Sequence, residues 1–409
     1  MKMLLAAFCL LAALAFAVQP VAHKYRLWRA RLAIANREPR QALAWLEAAE
    51  SSGNEGGAVY FLMARTHRHL ESYETAMDYL EQANRLGYPA EAVQRERLLA
   101  MAESAQLAPE DPRLGELLAN PGDDMHEIYE ALVKGYYRLY EIGPARLVLD
   151  SWEEEEPKNP QPRYYRGLLS EHDEEWPVAE RWYREALDLS SERSDVRLHL
   201  AYVLQKQHRY HEAQQHYRIV LQTKEDAKAQ FGLGKCLQGS GKLQQAREAF
   251  LAGLQHAPDD YDCLLALGEL EVDAGKGADA LRWLEPAAKQ KPSEYDVRYA
   301  LATALFISGE GDKARPHFQF AAQARLALSQ VLARRQYVAS HPEDAECRYE
   351  IGVALLEYGD RSEGIKWLQS VFKYQPDHQA ARAALTAFYA EQSAAAASGK
   401  HRMPAVGSE

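Results

Sequence analysis

The stretch GLGKCLQGSGK, Gly232 to Lys242, has four glycines and two lysines and is the first candidate for chemistry. A phosphate-binding loop reads G-x-x-x-x-G-K-[ST], because its backbone N–H groups surround the phosphate oxygens and its lysine reaches the terminal ones. Counted from Gly234, Gly239 takes the second glycine position, but Ser240 follows it where the motif needs lysine. The preceding KEDAKAQF lacks the β-branched run of a strand. The glycines therefore need another explanation.

Histidine and acidic clusters are the next candidates for a metal or acid–base site. In HEAQQH, His211 and His216 resemble a zinc-protease helix, but that motif needs its histidines four residues apart. Five apart, they lie about 140° from each other around a helix. We interpret His67, His69 and the acidic run Glu153–Glu156 as surface residues, and the four cysteines lack metal-ligand spacing. The sequence thus predicts no catalytic residue, no metal and no cofactor.

The N-terminus resembles a targeting segment. Lys2 precedes an uncharged apolar run, Met3–Val18, and AFA at Ala15–Ala17 fits a small-residue cleavage site, which is the layout of a secretory signal peptide. Basic residues then follow at Lys24, Arg26, Arg29 and Arg31, and early positive charge favours an anchor whose next segment stays cytoplasmic. Residues 1–17 are predicted as a signal peptide or N-terminal membrane anchor. The chain is expected to be exported, periplasmic or membrane-anchored, with a cytoplasmic-facing anchor as the alternative.

A 34-residue repeat explains the glycines. AQFGLGKCLQGSGKLQQAREAFLAGLQHAPDD aligns with YDCLLALGELEVDAGKGADALRWLEPAAKQKPSE, which places Gly234 above Gly268 and Ala246 above Ala280. The second small residue recurs along the chain at Ala42, Ala76, Ala145, Ala179, Ala213, Ala246, Ala280, Ala314 and Gly364. A fixed period of this length is the signature of an array of stacked helical units.

This pattern of two small residues, a bulky residue and a proline resembles the tetratricopeptide repeat (TPR) family. The resemblance implies an all-α fold, an α-solenoid of stacked antiparallel helix pairs in a right-handed superhelix. Gly234 and Ala246 would pack at a helix crossing, and Gly239–Gly241 would form the turn between two helices. The array is predicted over residues 24–376, with a degenerate unit at about 90–123. An insertion at about 322–342 would lengthen the helix around Phe318–Ala339. A capping helix over 377–393 and a disordered tail over 394–409 are expected to follow.

The resemblance also implies a function, that of a non-enzymatic scaffold whose first helices line a concave groove. That groove would bind an extended peptide or a partner protein, in the assembly of an envelope-associated complex. Counting from the small residues, the predicted groove residues are Phe61, Arg65, Lys134, Tyr164, Tyr202, Phe231, Lys235, Tyr299 and Tyr349. The aromatic residues would anchor apolar groups and the cations would hold carboxylates; alternatively, the aromatic residues pack neighbouring units together. No asparagine of the family's carboxylate clamp occurs in these positions, so chaperone-tail recognition is not expected.

The composition excludes some classes of partner and of function. The 409 residues carry a net charge of −11, which predicts no basic face and therefore no nucleic acid as the main partner. No non-repeat segment is long enough to hold a catalytic domain. Two alternatives stay open: a metal-dependent or catalytic role in the groove, and a purely structural envelope component that associates with itself.

Overall fold

The computed structural model describes residues 21–51, 56–107, 111–119, 121, 124–223 and 226–397. Every regular element in these ranges is a helix, so the predicted all-α fold is confirmed. The chain divides into two compact units, Met1–Arg138 and Leu139–Glu409. The predicted signal peptide or anchor and residues 398–409 lie outside the described residues. No helix in the described part of the chain combines the length and apolarity needed to cross a bilayer.

Unit 1 consists of seven described helices. They are α1 over residues 21–35, α2 Pro39–Glu50, α3 Gly57–His69, α4 Tyr73–Arg85, α5 Ala90–Glu103, α6 Pro112–Ala119 and α7 Met125–Arg138. Across the region predicted to be degenerate, α6 has only 8 residues where a repeat would have a full second helix. Unit 1 therefore contains an irregular repeat whose short helix leaves α5 beside α7.

Unit 2 continues with α8 Ile142–Glu155, α9 Gln161–His172, α10 Trp176–Leu189, α11 Ser194–Lys206, α12 Tyr210–Thr223, α13 Ala227–Gly239, α14 Leu243–His256, α15 Tyr261–Asp273, α16 Gly277–Gln290, α17 Tyr295–Ile307, α18 Gly311–Leu328, α19 Val331–Ser340, α20 Ala345–Tyr358, α21 Arg361–Tyr374 and α22 Gln379–Ala397. The first helices of its repeats are α9, α11, α13, α15, α17 and α20, and each is followed by a second helix of similar length. The helix α19 falls outside this alternation.

The glycines of the opening stretch have structural roles in this alternation. A Cβ atom at Gly234 would lie 2.4 Å from Cε1 of Phe250, so only glycine lets α13 and α14 approach this closely. Gly241 has a φ of +75°, the left-handed conformation that glycine adopts without strain. The turn between α13 and α14 and the packing of these helices against each other therefore account for both glycines.

The predicted insertion forms a separate helix instead of one lengthened helix. The helix α18 ends at Leu328, residues 329 and 330 form a turn, and α19 begins at Val331. Val331 and Val338 of α19 belong to one buried cluster with Ile351 of α20 and Trp367 of α21. Both α18 and α19 contact α20: the ring of Phe320 on α18 lies 5.4 Å from that of Tyr358 on α20, so α19 adds to the packing of α18 and does not replace it.

The two ends of unit 2 meet. Nη1 of the buried Arg348 on α20 donates to the backbone oxygen of Leu139 over 2.8 Å, and Nη2 donates to Glu141 over 3.2 Å. The ring of Tyr140 stacks on Trp367 of α21, with centroids 3.7 Å apart. The segment Leu139–Glu141 therefore holds the start of unit 2 against its last repeat.

Candidate partner-binding surface

The predicted groove aromatic residues lie on first helices, but five of the six are at least half-buried against other rings. The neighbouring rings are Tyr88 for Phe61 (4.4 Å between centroids), His199 for Tyr164 (5.6 Å), Trp176 for Tyr202 (6.2 Å), Phe250 for Phe231 (5.9 Å) and His378 for Tyr349 (5.0 Å). Phe61 is only 6% exposed. These contacts give the five rings a packing role. Tyr299 differs, because 49% of its surface is exposed.

All three predicted groove cations have carboxylate partners within the chain. The N···O distances are 2.9 and 3.3 Å from Arg65 to Glu96 and Asp124, 3.4 and 3.1 Å from Lys134 to Glu103 and Glu130, and 3.6 Å from Lys235 to Glu269. Burial alone would lower the pKa of Lys134, but Glu103 and Glu130 raise it above its ordinary value. Because these three cations already pair with carboxylates of the chain itself, they give no support to the expectation of a carboxylate-bearing partner.

One first helix, α17, exposes a row of large apolar side chains. Tyr299, Phe306 and Ile307 are 49%, 66% and 39% exposed, and their spacing of seven and eight residues places them on one face of the helix. The opposite face is buried through Val297, Leu301 and other small or aliphatic residues. A helix that is apolar on both sides normally lies inside a protein. The exposed side, called here the α17 face, is therefore a candidate for contact with another molecule.

An open, shallow groove of about 670 Å³ adjoins the α17 face. Its lining consists of Phe306 and the α18 residues Gly311, Asp312, Ala314, Arg315, Phe318, Gln319 and Ala322. We call this feature the α18 groove.

Sequence reasoning identified Tyr299 but missed Phe306 and Ile307. The groove positions were counted from the small residue of each first helix, and on α17 this count did not reach the last turn of the helix. A signal was present, because the position of Phe306 is occupied by Gln205, Gln238 and Val272 in the three preceding repeats. A large aromatic residue at the end of a first helix, where the neighbouring repeats have smaller or polar residues, indicates an exposed apolar surface.

The structure places the chemical candidates of the sequence in ordinary packing positions. Cys236 and Cys263 are fully buried, and burial raises the pKa of the Cys236 thiol to about 12. Burial first, and then the neighbouring Arg197, lower the pKa of His216. Among the described residues, no group of three or more His, Cys, Asp or Glu side chains is arranged to hold a metal ion.

Comparison with known families agrees with the helical repeat. A tetratricopeptide-repeat model matches residues 198–261 and 265–324, and a second model of the same description matches residues 57–86. The chain therefore contains tetratricopeptide repeats over these residues, which are 154 of its 409. Such repeats are generally parts of protein-interaction scaffolds, which supports a scaffold role for this chain. No curated protein sequence matches it.

Solved structures are similar in fold. PilW, a widely conserved type IV pilus biogenesis factor, is 17% identical, with 49% of this chain and 91% of that chain covered and a TM-score of 0.44. YrrB, a TPR protein with an unusual peptide-binding site, is 20% identical, with coverage of 50% and 97% and a TM-score of 0.31. The human IFIT1 dimer with m7Gppp-AAAA is 16% identical, with coverage of 87% and 90% and a TM-score of 0.48. At such identities the similarity concerns the fold alone.

Proposed function

We propose that the chain is a non-enzymatic scaffold that binds a partner protein through the α17 face and the α18 groove of unit 2. The observation that carries this proposal is the exposure of Tyr299, Phe306 and Ile307 on one helix beside an open groove. Exposed apolar residues of this size, grouped on one surface, are typical of interaction sites. Aromatic anchors that fill a partner's pocket dominate the binding free energy of such sites.

Replacement of Phe306 by alanine is expected to weaken capture of the native partner by about 30-fold, because a buried aromatic anchor contributes about 2 kcal/mol. The measurement is a titrated pull-down from native extract with the purified chain, after circular dichroism has shown that the variant stays folded. Leu147→Ala is the matched control, because Leu147 on α8 is 68% exposed but lies away from the α17 face and the α18 groove. A loss of capture with Leu147→Ala and none with Phe306→Ala would contradict the proposal.

We also propose an envelope location, in the assembly of an envelope-associated complex. Its support is the apolar run Met3–Val18 after Lys2, with AFA before the expected cleavage point. A reporter enzyme that is active only in the cytoplasm, fused after Glu409, is therefore expected to be silent. Cytoplasmic reporter activity in a membrane-bound chain would instead favour the reversed anchor suggested by Lys24, Arg26, Arg29 and Arg31.

A further inference from the structure

The first helices beside the α17 face are acidic. The helix α15 contains Asp262, Glu269, Glu271 and Asp273 and has no Lys or Arg. The helix α17 carries Asp296 and one cation, Arg298, whose guanidinium lies 4.7 Å from the ring centre of Phe320 on α18. Arg298 thus packs against a second helix, and no cation of α15 or α17 is left to neutralise the acidic residues.

Three of these carboxylates form no close ion pair. Asp262, Asp273 and Asp296 are exposed, and none has a Lys, Arg or His nitrogen within 4.0 Å among the described residues. Glu269 shares its charge with Lys235 of α13. Lys291, Lys228 and Lys235 act on Asp262 at longer range. Lys291 also pairs with Glu294 over 3.9 Å, and Arg247 and Lys276 pair with Glu271. Asp273 and Asp296 remain the exposed carboxylates outside these pairs, and they carry the negative charge on this side of α15 and α17.

The acidic residues also act on one another. Burial is the main cause that raises the pKa of Glu269, and Asp296 and Asp273 add to it against the attraction of Lys235. Carboxylates crowded in this way are stabilised in their charged form when a cation approaches. A cationic ligand would relieve a repulsion that the free protein contains.

From the apolar α17 face, the α18 groove and the unpaired Asp262, Asp273 and Asp296, we infer that the bound partner segment is basic and amphipathic. Its apolar side chains occupy the α18 groove and cover Phe306 and Ile307, and its Lys or Arg residues lie over α15 and the first turn of α17. This inference rests on the proposed function and specifies its partner. A second copy of the chain fits less well, because two such faces would bring the same negative charges together.

The test uses two fluorescently labelled synthetic peptides with the same pattern of Leu and Phe, one carrying Lys at every polar position and the other Glu. Fluorescence anisotropy with the full chain is expected to give a Kd at least about tenfold lower for the Lys peptide at low salt. Phe306→Ala is expected to raise the Kd for the Lys peptide by a factor between about 10 and about 30. The double variant Asp273→Asn/Asp296→Asn is expected to raise the Kd by about fivefold at low salt and to weaken its salt dependence, because screening acts on exposed charges. Circular dichroism confirms that each variant is folded.

The matched control neutralises two exposed acidic residues elsewhere, Asp279→Asn/Glu285→Gln on the second helix α16, and should leave the Kd for the Lys peptide unchanged. If this control reduces binding as much as the α15–α17 double variant, the attraction is nonspecific and the inference is wrong. Equal or tighter binding of the Glu peptide would contradict the inference that the partner is basic. In that case, loss of native-partner capture by Phe306→Ala would still support the proposed function. Dimerisation in sedimentation experiments that Phe306→Ala abolishes would identify the occupant as a second copy, which also overturns the inference. Absence of binding by both peptides would overturn it too.

Discussion

Replacement of Arg68 by methionine is expected to destabilise unit 1 by about 3–5 kcal/mol, because it removes one partner from a fully buried ion cluster. The Arg68 side chain has no exposed surface. Its Nε donates to Glu96 and its Nη2 to Glu127, each over 2.5 Å, and its Nη1 donates to Glu103. Without the guanidinium, Glu96 and Glu103 keep only Arg65 and Lys134, which other carboxylates share, and Glu127 keeps only histidines at 3.6 Å. Three buried carboxylates of α5 and α7 then have too little positive charge around them. Urea unfolding followed by circular dichroism measures the loss.

The control for this variant is Arg85→Met, which makes the same substitution on the surface. Arg85 pairs with Glu81 one turn away on α4, and both side chains are more than half exposed. An exposed pair of this kind contributes at most about 0.5 kcal/mol. Similar losses for Arg68→Met and Arg85→Met would show that the buried cluster does not hold unit 1 together.

The pH dependence of the free energy of unfolding distinguishes the loss of this ion cluster from a loss of apolar packing. Burial alone would raise the pKa of Glu96 and Glu127, but Arg68 is the strongest of the groups that lower both below the ordinary value of 4.5. The unfolded wild-type chain therefore binds more protons than the folded chain just below pH 4.5, so this stabilisation is lost as the pH falls through the lowered pKa values. In Arg68→Met the largest lowering cause is gone, so both pKa values rise relative to the wild type, with Arg65 still acting on Glu96 and His126 and His69 on Glu127. The difference in stability between the two proteins should therefore shrink as the pH falls from 7 to 4.

The repeat and its packing positions could be predicted because they follow from local steric demands. A fixed period, a glycine where Phe250 leaves no space for a Cβ atom, and an aspartate at a helix start are all visible in one sequence. Asp226 and Asp260 accept hydrogen bonds from the backbone N–H groups of Ala229 and Cys263, as residues that cap a helix N-terminus do. These features depend on residues close in sequence or one repeat away.

The charges and the exposed surface depend on irregular parts of the chain, which a period does not describe. Arg65 and Lys134 occupy predicted positions on α3 and α7, but their partners come from α5, where the repeat is degenerate, and from the start and middle of α7. Phe306 is exposed beside the α18 groove, at the end of the last first helix before the insertion. The 50-residue spacing from Ala314 to Gly364 reveals that an insertion exists, but it does not reveal how the inserted helix packs.

Replacement of Arg348 by methionine is expected to destabilise unit 2 by about 2–4 kcal/mol and to release its two ends from each other. The Arg348 side chain is fully buried, and its donors satisfy two backbone oxygens, those of Leu139 (2.8 Å) and Pro342 (2.7 Å). A buried acceptor left without its partner costs about 1–3 kcal/mol, and a hydrogen bond from a charged donor contributes about as much. Glu141 keeps Lys373 as a partner, 3.4 Å away, so the expected loss is smaller than that for Arg68.

Hydrogen exchange can show whether the loss reaches both ends of unit 2. If Arg348 joins them, Arg348→Met should speed amide exchange in α20 and α21 and also in residues 139–141, which are about 200 positions away in sequence. Arg382→Met is the control, because Arg382 on α22 is exposed and also donates to a backbone oxygen, that of Pro376. That variant should leave the exchange of residues 139–141 unchanged. Faster exchange in α20 and α21 alone would mean that the stacking of Tyr140 on Trp367 holds the ends together without Arg348, because stacked aromatic pairs contribute about 0.5–1.5 kcal/mol beyond the burial of their surface.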